Sequence, residues 1–291
     1  MKFQTSFRNN HNALFLGKAI SSYFNRGTSL ASTVQTVLNG IRDITGVKSL
    51  KNLDERAIQS YISHIQERVV KGELSKKTAE GYISALNRVI EYTNEVLKKS
   101  LQTLSPAGLG LSRGAFEYKD RAVSQETHEK FLNFLSEKND LRAQALAISV
   151  ELQRGFGLRL RESIAIKAET VERALESGVL RLTGQDGTKN SREREIPILT
   201  ASQREALERA YDFMKENNLF SLCPCERLRE QYHFAWNVAK EFNREYNENF
   251  TFHGERHAFA QFWINEQGVD RATVSSWLGH GREEVTKVYA R

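Results

Sequence analysis

The chain has 291 residues, 40% of them hydrophobic, and its 42 Lys and Arg against 36 Asp and Glu give a formal net charge of +6. This length exceeds one ordinary domain and predicts two, each large enough to bury its own core. No run approaches the roughly 18 uncharged apolar residues that cross a bilayer, and the N-terminus lacks the pattern of a secretory signal, so we expect a soluble, cytoplasmic protein.

The first hundred residues predict four helices. Two candidates lie near 10–24 and 29–45. In "LDERAIQSYISHIQERVVKG" the apolar side chains recur at spacings of three and four, with Asp54 as the N-cap and Gly72 as the stop. The segment "SKKTAEGYISALNRVIEYTNEVLKK" repeats this pattern from a Ser75 cap. Together these helices predict a compact four-helix domain.

Positive charge is concentrated in this part of the chain. Residues 1–118 contain 16 Lys and Arg against 9 Asp and Glu, whereas the rest contains 26 against 27. A basic surplus is expected of a domain that wraps a polyanion, although many solvated surfaces carry one too.

A connector is predicted after the fourth helix. From Ser100 to Arg121 the helical periodicity fails, and "SPAGLGLSRGAFEYKDR" supplies Pro, Gly and mixed charge. This composition is typical of a segment between independently folded parts. We therefore predict a helical domain over 1–110, a linker over 111–121 and a second domain over 122–291.

The second domain is predicted to be mostly helical with one small β-hairpin. Ser124 can cap "QETHEKFLNFLSEK", and "LRAQALAISVELQRG" is apolar enough to be a buried helix. The stretch "GVLRLTGQDGTKNSREREIPI" alternates apolar and polar residues around a Gly-rich turn, which predicts a hairpin with Lys189 in or beside its tip. Helices follow over about 200–217 and 226–247, and three shorter ones run from Phe252 to the end.

The two cysteines, Cys223 and Cys225, stand in "SLCPCERL". Since no second pair completes a tetrahedral zinc site, we expect reduced thiols in a turn, with no metal and no disulfide framework.

The stretch "TFHGERHAFAQF" offers an anion site. His253 and Arg256 are three residues apart and share one helical face. An imidazole and the planar fork of a guanidinium suit an oxyanion, above all a phosphate. The alternative is a chance pair, and the neighbouring His257 could equally be a core histidine.

In "GFGLRLRESIAIK", Arg159 precedes Glu162 by three residues, so the carboxylate can hold the guanidinium in place. The alternative is an ordinary helix ion pair. Arg161 falls on the opposite face and is expected to point to solvent or to a DNA backbone.

Two further side chains could take part in chemistry. Lys189 at a hairpin tip could be a solubilising turn residue or a mobile general acid. Tyr289 could be a packing residue, but a phenol becomes a nucleophile where positive groups stabilise the phenolate or a base takes its proton.

The order of these residues resembles the tyrosine recombinase (phage integrase) family. Six residues occur in the family's order: Arg159, Lys189, His253, Arg256, His280 and Tyr289. They lie in "GLRLRE", the hairpin, "HGERH", "LGH" and the last helix. The match spans about 120–291, and the helical domain before it is similar to the family's core-binding domain in pattern and charge. The resemblance implies a mainly α fold with a small β-hairpin or sheet.

The resemblance also implies roles. Arg159 and Arg256 would clamp the scissile DNA phosphate, and His280 would add a third hydrogen bond. His253 would assist proton removal from Tyr289, which attacks phosphorus to form a 3′-phosphotyrosine, and Lys189 would protonate the departing 5′ oxygen. No cofactor or metal is implied.

The implied protein is a site-specific recombinase or integrase of a mobile element, or a chromosome-dimer resolving enzyme, located on the nucleoid. Its partner would be double-stranded DNA, bound as a homo-oligomer, a tetramer on paired sites, with accessory DNA-bending proteins possible. An inactive DNA-binding or architectural protein of the same fold and a type IB topoisomerase remain alternatives.

Two features depart from the family: Arg161 replaces a small residue, and the sequence ends at Arg291, where family chains continue into a segment that docks on a neighbouring subunit.

Overall fold

A computed structural model describes residues 4–112, 120–188 and 192–280. Lys189 and Tyr289 therefore lie outside the described residues. The chain divides into two compact units, Met1–Phe116 and Glu117–Arg291.

The first unit contains the four predicted helices. They are α1 (Asn10–Tyr23), α2 (Thr28–Thr45), α3 (Glu55–Val70) and α4 (Lys76–Leu97). The two predicted caps are confirmed, because Asp54 Oδ1 accepts from the N–H of Ala57 at 2.8 Å and Ser75 Oγ accepts from the N–H of Thr78 at 3.1 Å. These side chains satisfy N–H groups that have no partner within the helix.

Part of the predicted connector is held against the first unit. The Asn87 side chain donates to the carbonyl of Leu104 and accepts from its N–H, both at 2.8 Å. Asn94 makes the same two-way contact with Leu101, at 2.8 and 2.9 Å. An amide side chain that pairs with a backbone in this way replaces the hydrogen bonds of regular structure, so residues 101–104 are fixed to α4.

The second unit is mostly helical. Its helices are α5 (Gln125–Ser136), α6 (Leu141–Phe156), α7 (Leu160–Ala165), α8 (Ala168–Ser177), α9 (Ala201–Glu216), α10 (Leu228–Tyr246), α11 (Phe252–Gln261) and α12 (Arg271–Trp277). A π-helical turn, Phe262–Glu266, extends α11. Helices α7 and α8 were not predicted as separate helices, and the last of the three predicted C-terminal helices falls outside the described residues.

Helix α6 lies at the centre of the second unit. Its Leu152 and Phe156 belong to one buried cluster, with residues of α8, α9, the sheet and α12. Its Leu146 and Val150 belong to another, with residues of α5 and α10. A helix that packs on two sides needs apolar residues around most of its circumference, which is why its sequence is nearly apolar.

The predicted hairpin strands are confirmed. Strands β1 (Val179–Leu182) and β2 (Arg194–Pro197) pair antiparallel, with Leu182 opposite Arg194. Side chains alternate between the two faces of a strand, so Leu180 and Ile196 are buried while Glu195 is exposed. The fold is therefore mainly α with one small two-stranded sheet, as predicted.

Within the described part of the chain, no helix is both long and apolar enough to cross a membrane. The thiols of Cys223 and Cys225 are free and half-buried. Burial raises the pKa of the Cys225 thiol, which keeps it protonated at neutral pH.

Candidate functional site: a cluster of arginines and histidines

Arg256 joins three segments of the second unit. It lies in α11, which begins after Thr251, and its side chain is fully buried. Its Nη1 donates to the carbonyl of Gly157 at 2.6 Å, and its Nη2 donates to the carbonyl of Leu278 and lies 3.0 Å from Nε2 of His280. One guanidinium thus connects the end of α6 with the end of α12.

Residue 157, whose carbonyl accepts a hydrogen bond from Arg256, is a glycine for steric reasons. Gly157 ends α6 with φ of 61°, in the left-handed region that favours glycine. A Cβ at this position would lie 2.6 Å from Phe259 Cδ1 and 2.7 Å from Leu278 Cδ2. The chain can therefore turn here and approach α11 closely only without a side chain.

The predicted contact between Arg159 and Glu162 occurs, but at the start of a helix rather than within one. Arg159 is the N-cap residue of α7. Its backbone N–H donates to Glu162 Oε2 at 2.8 Å, and its Nη1 donates to Oε1 at 2.7 Å. The Arg159 side chain remains 30% exposed, whereas that of Glu162 is fully buried. Arg161 is exposed, as expected.

Sequence reasoning missed a second arginine on the same carboxylate. From β2, Arg194 donates through Nη1 to Glu162 Oε1 at 3.1 Å and through Nη2 to Oε2 at 2.5 Å. Its side chain is 3% exposed. The alternation of side chains along β2 could have revealed this residue, because Arg194 lies on the same inward face as Ile196 and is therefore expected to be buried.

The Glu162 carboxylate is ionised at every physiological pH. Burial by itself raises the pKa of Glu162, but the hydrogen bonds and charges of Arg194 and Arg159 outweigh it and lower the pKa to about 2. A buried anion held by two cations and by a backbone N–H has four donors, so its geometry is fixed.

His280 follows α12 and faces Arg256. Gly279, with φ of 63°, turns the chain, and the N–H of His280 donates to the carbonyl of Ser275 at 3.0 Å. An arginine can only donate, so Nε2 of His280 accepts and Nδ1 carries the ring proton. Desolvation, followed by the charges of Arg256 and Arg159, lowers the pKa of His280 to about 3.

His253 and His257 lie side by side on α11. Their ring centroids are 4.9 Å apart and the rings are nearly perpendicular. The His253 ring is exposed and that of His257 is buried. Surrounding protein atoms, and next the charge of Arg256, lower the pKa of His253 to about 4, and burial, followed by His253, lowers the pKa of His257 to about 4. Both rings are neutral at physiological pH.

Four of the six predicted site residues converge. Glu162 binds both Arg159 and Arg194. Arg194 packs against Gly279, the residue before His280, and His280 contacts Arg256. Since His253 lies one turn before Arg256 on α11, these contacts bring the four side chains into one region. Two fixed cations and two neutral imidazoles can receive an anion such as a phosphate. Lys189 and Tyr289, the other two, are outside the described residues. Among the residues that are described, no group of three or more His, Cys, Asp or Glu could hold a metal ion.

A second buried network, which the sequence patterns did not predict, supports α11. Glu255 is fully buried next to Arg256 in sequence. Its Oε2 accepts from Arg154 Nη1 at 2.8 Å, and its Oε1 lies 3.0 Å from Nδ1 of His128. These contacts tie the first turns of α11 to α6 and α5, and so fix the helix that carries His253 and Arg256.

Comparisons with known proteins cover the same part of the chain. A model of the phage integrase family matches residues 121–291, which include every residue of the site. No curated protein sequence matches the chain.

Solved structures resemble the chain over nearly its whole length. The Tn1549 transposon integrase in complex with transposon right end DNA has a TM-score of 0.66 at 16% identity, covering 96% of this chain and 95% of that one. The XerH site-specific recombinase bound to difH substrate has a TM-score of 0.65 at 17% identity, covering 97% and 80%. A lambda integrase dimer bound to a COC′ core site has a TM-score of 0.61 at 16% identity, covering 96% and 76%. At these identities the likeness is one of fold.

Proposed function

The chain belongs to the phage integrase family of tyrosine recombinases, and we propose that it is a site-specific DNA recombinase that cuts and rejoins strands through a 3′-phosphotyrosine intermediate. The observation that supports the proposal is the convergence of Arg159, Arg256, His253 and His280 on one site through the contacts of Glu162, Arg194 and Gly279. A protein that only bound DNA would not need fixed arginines and neutral histidines at a single point.

The two arginines receive the scissile phosphate. Both contact its non-bridging oxygens and neutralise the charge of the pentacoordinate transition state. Arg159 is partly exposed and can meet the phosphate directly. Arg256 is fully buried, so its contact with the phosphate requires some of the groups that cover it to move when DNA binds. Because Nε2 of His280 accepts from Arg256, the Nδ1–H of this ring supplies the third hydrogen bond.

The covalent step exchanges one P–O bond for another. The Tyr289 oxygen attacks phosphorus, the bond from phosphorus to the 5′ oxygen breaks, and the strand end is left as a 3′-phosphotyrosine. His253, which is neutral and can accept a proton, assists removal of the phenolic proton. Lys189 gives a proton to the departing 5′ oxygen. The roles of Tyr289 and Lys189 rest on their places in the ordered sequence set.

The second half of the reaction reverses the first on another strand. The 5′-hydroxyl of a partner strand attacks the phosphotyrosine, so the P–O bond to tyrosine breaks and a new phosphodiester forms. Since the number of phosphate ester bonds is unchanged, the exchange requires no ATP.

We further propose that residues 1–110 form a helical DNA-binding domain, joined by a linker over 111–121 to a catalytic domain over 122–291. The basic surplus of the first part supports this division, as do the solved relatives bound to DNA. Contacts to phosphates then dominate affinity, which falls steeply with salt. The protein acts on nucleoid DNA as a homo-oligomer, a tetramer on paired sites, with accessory DNA-bending proteins where a site needs them.

A suicide substrate tests the proposed function. Duplexes built from the DNA repeats that flank the gene, each nicked near the candidate cleavage position, lose the short 5′-hydroxyl fragment after cleavage and trap the protein on DNA. We expect a covalent adduct that resists denaturation, and none with Tyr289→Phe, although this variant still binds the duplex. Tight binding without an adduct would instead indicate an architectural protein. Relaxation of supercoiled plasmid without exchange between two sites would indicate a type IB topoisomerase.

A further inference from the structure

We propose that Arg194 is a positioning residue for the phosphate site, which it orders from two sides: it fixes Arg159 through Glu162, and it supports the turn that carries His280. This inference rests on the proposed function and adds a residue outside the ordered set of six. Arg194 touches neither the phosphate nor the reacting atoms and acts through its neighbours.

The first side is the shared carboxylate. Glu162 is fully buried, and each of its oxygens accepts one hydrogen bond from Arg194 and one from Arg159. The fork of Arg194 meets both oxygens at once, so it sets the plane of the carboxylate. That plane determines where Nη1 of Arg159 is held.

Arg159 needs this support because its own side chain is only half-buried. An arginine has several rotatable bonds, and one that is 30% exposed is not fixed by packing alone. Without Arg194, Glu162 would lose two of its four donors. The carboxylate could then rotate, and the Arg159 guanidinium would move with it.

The second side is the turn before His280. A Cβ placed on Gly279 would lie 3.1 Å from Cδ and 3.3 Å from Nη1 of Arg194. The backbone of the turn therefore packs directly against the Arg194 side chain. Since Gly279 precedes His280, a displaced Arg194 also displaces the imidazole that meets Arg256.

Arg194 is well placed for such a role because β2 is a rigid support. The residue pairs with Leu182 of β1, and its side chain is 3% exposed. Sites held by regular elements keep their geometry better than sites on loops. A lysine at this position would preserve the charge but not the planar fork.

The test compares two substrates in single-turnover cleavage. One is the nicked phosphodiester duplex, and the other carries a methylphosphonate at the scissile position. The methyl group removes the negative charge that Arg159 neutralises, so a variant with a misplaced Arg159 should lose much less on this substrate. Arg159→Met is the reference, and wild-type adduct on the phosphodiester establishes separately that the proposed function holds.

We expect Arg194→Met to cleave the phosphodiester about 100-fold more slowly than wild type, since small misplacements of a phosphate ligand have effects of this size. On the methylphosphonate substrate, the loss of cleavage rate relative to wild type should be smaller for Arg194→Met, and it should be reduced to a similar extent for Arg159→Met. Arg194→Lys should show the same pattern with a smaller loss of cleavage rate. This variant replaces Arg194→Met in the test if Arg194→Met does not fold. Arg181→Met is the matched control, because it removes an exposed arginine that pairs with Glu195 on the outer face of the same hairpin.

A merely structural role predicts a different result. If Arg194 served only to stabilise the fold, its variants would lose the same factor on both substrates, in proportion to the folded fraction measured by circular dichroism. Equal losses on the two substrates, or an Arg194→Met variant that cleaves the phosphodiester at the wild-type rate, would overturn the proposal.

Discussion

Nη2 of Arg256 lies 3.0 Å from Nε2 of His280, and this contact assigns the imidazole proton to Nδ1. The same Nη2 donates to the carbonyl of Leu278, two residues before the histidine. Arg256 therefore fixes both the position and the tautomer of the ring. In the proposed reaction, His280 reaches the phosphate through Nδ1–H.

This tautomer predicts which amide can replace His280. The side-chain nitrogen of asparagine occupies nearly the position of Nδ1, whereas that of glutamine occupies the position of Nε2. His280→Asn should therefore form adduct about 10-fold faster than His280→Gln, the effect of one hydrogen bond to a charged group. Single-turnover cleavage of the suicide substrate measures both rates. A faster glutamine variant would mean that Nε2 faces the phosphate and that Arg256 releases the ring when DNA binds.

A pair of glycines tests the close approach at the end of α6. Gly157 and Gly178 both have positive φ, but a Cβ would collide with Phe259 and Leu278 at Gly157 and would meet nothing within 4 Å at Gly178. Gly178→Ala should cost only the backbone strain, about 1–2 kcal/mol. Gly157→Ala should cost about 1–3 kcal/mol more through overpacking. Urea unfolding measures both values.

The same pair separates stability from activity. Gly157→Ala moves the carbonyl that holds Arg256, so cleavage should fall even at temperatures where the variant is folded. Gly178→Ala, the control, should cleave like wild type. If both variants lost equal stability, the contact with Phe259 and Leu278 would not constrain Gly157.

The low pKa of Glu162 predicts acid sensitivity. Its folded value of about 2 lies below its ordinary value of 4.5, so the stabilisation is complete above pH 4.5 and is lost as the pH falls toward 2. The contribution is on the order of 3 kcal/mol. Urea unfolding at pH 7 and pH 3 should show a smaller loss on acidification for Glu162→Gln than for wild type, although the variant is less stable at pH 7. An equal loss in both proteins would contradict the lowered pKa.

The histidines of the site should stay neutral in mild acid. The pKa values of His253 and His257 are about 4 and that of His280 is about 3, each below the ordinary 6.5. At pH values between 6.5 and these lowered pKa values, the histidines bind more protons in the unfolded chain than in the folded protein. Their contribution to the free energy of unfolding is therefore fully present above pH 6.5 and falls as the pH drops toward 4. Imidazole resonances in NMR spectra, assigned with single His→Gln variants, should not titrate between pH 8 and 5.5. Titration of His257 or His280 near pH 6.5 would show that its ring is solvated, and titration of the exposed His253 near pH 6.5 would show that the neighbouring protein atoms and the charge of Arg256 do not lower its pKa.

Local signals in the sequence were sufficient for much of the fold. Asp54, Ser75 and Ser124 begin helices as predicted, because a cap depends only on residues three positions apart. The hairpin strands followed from a two-residue alternation for the same reason. The break between α6 and α8 was not predicted, since the short helix α7 depends on Arg159, Glu162 and the distant Arg194.

The sequence by itself determined the helical pattern, the hairpin and the family, because these depend on local spacing and on the order of a few residues. Only the tertiary structure decided that Arg194 shares a carboxylate with Arg159, that Arg256 is buried against Gly157 and Leu278, and that Glu255 binds Arg154 and His128. The physical reason is that these contacts join residues 22 to 127 positions apart. A buried charge takes whichever partner the folded chain brings to it, and the spacing of residues along the chain carries no record of that choice.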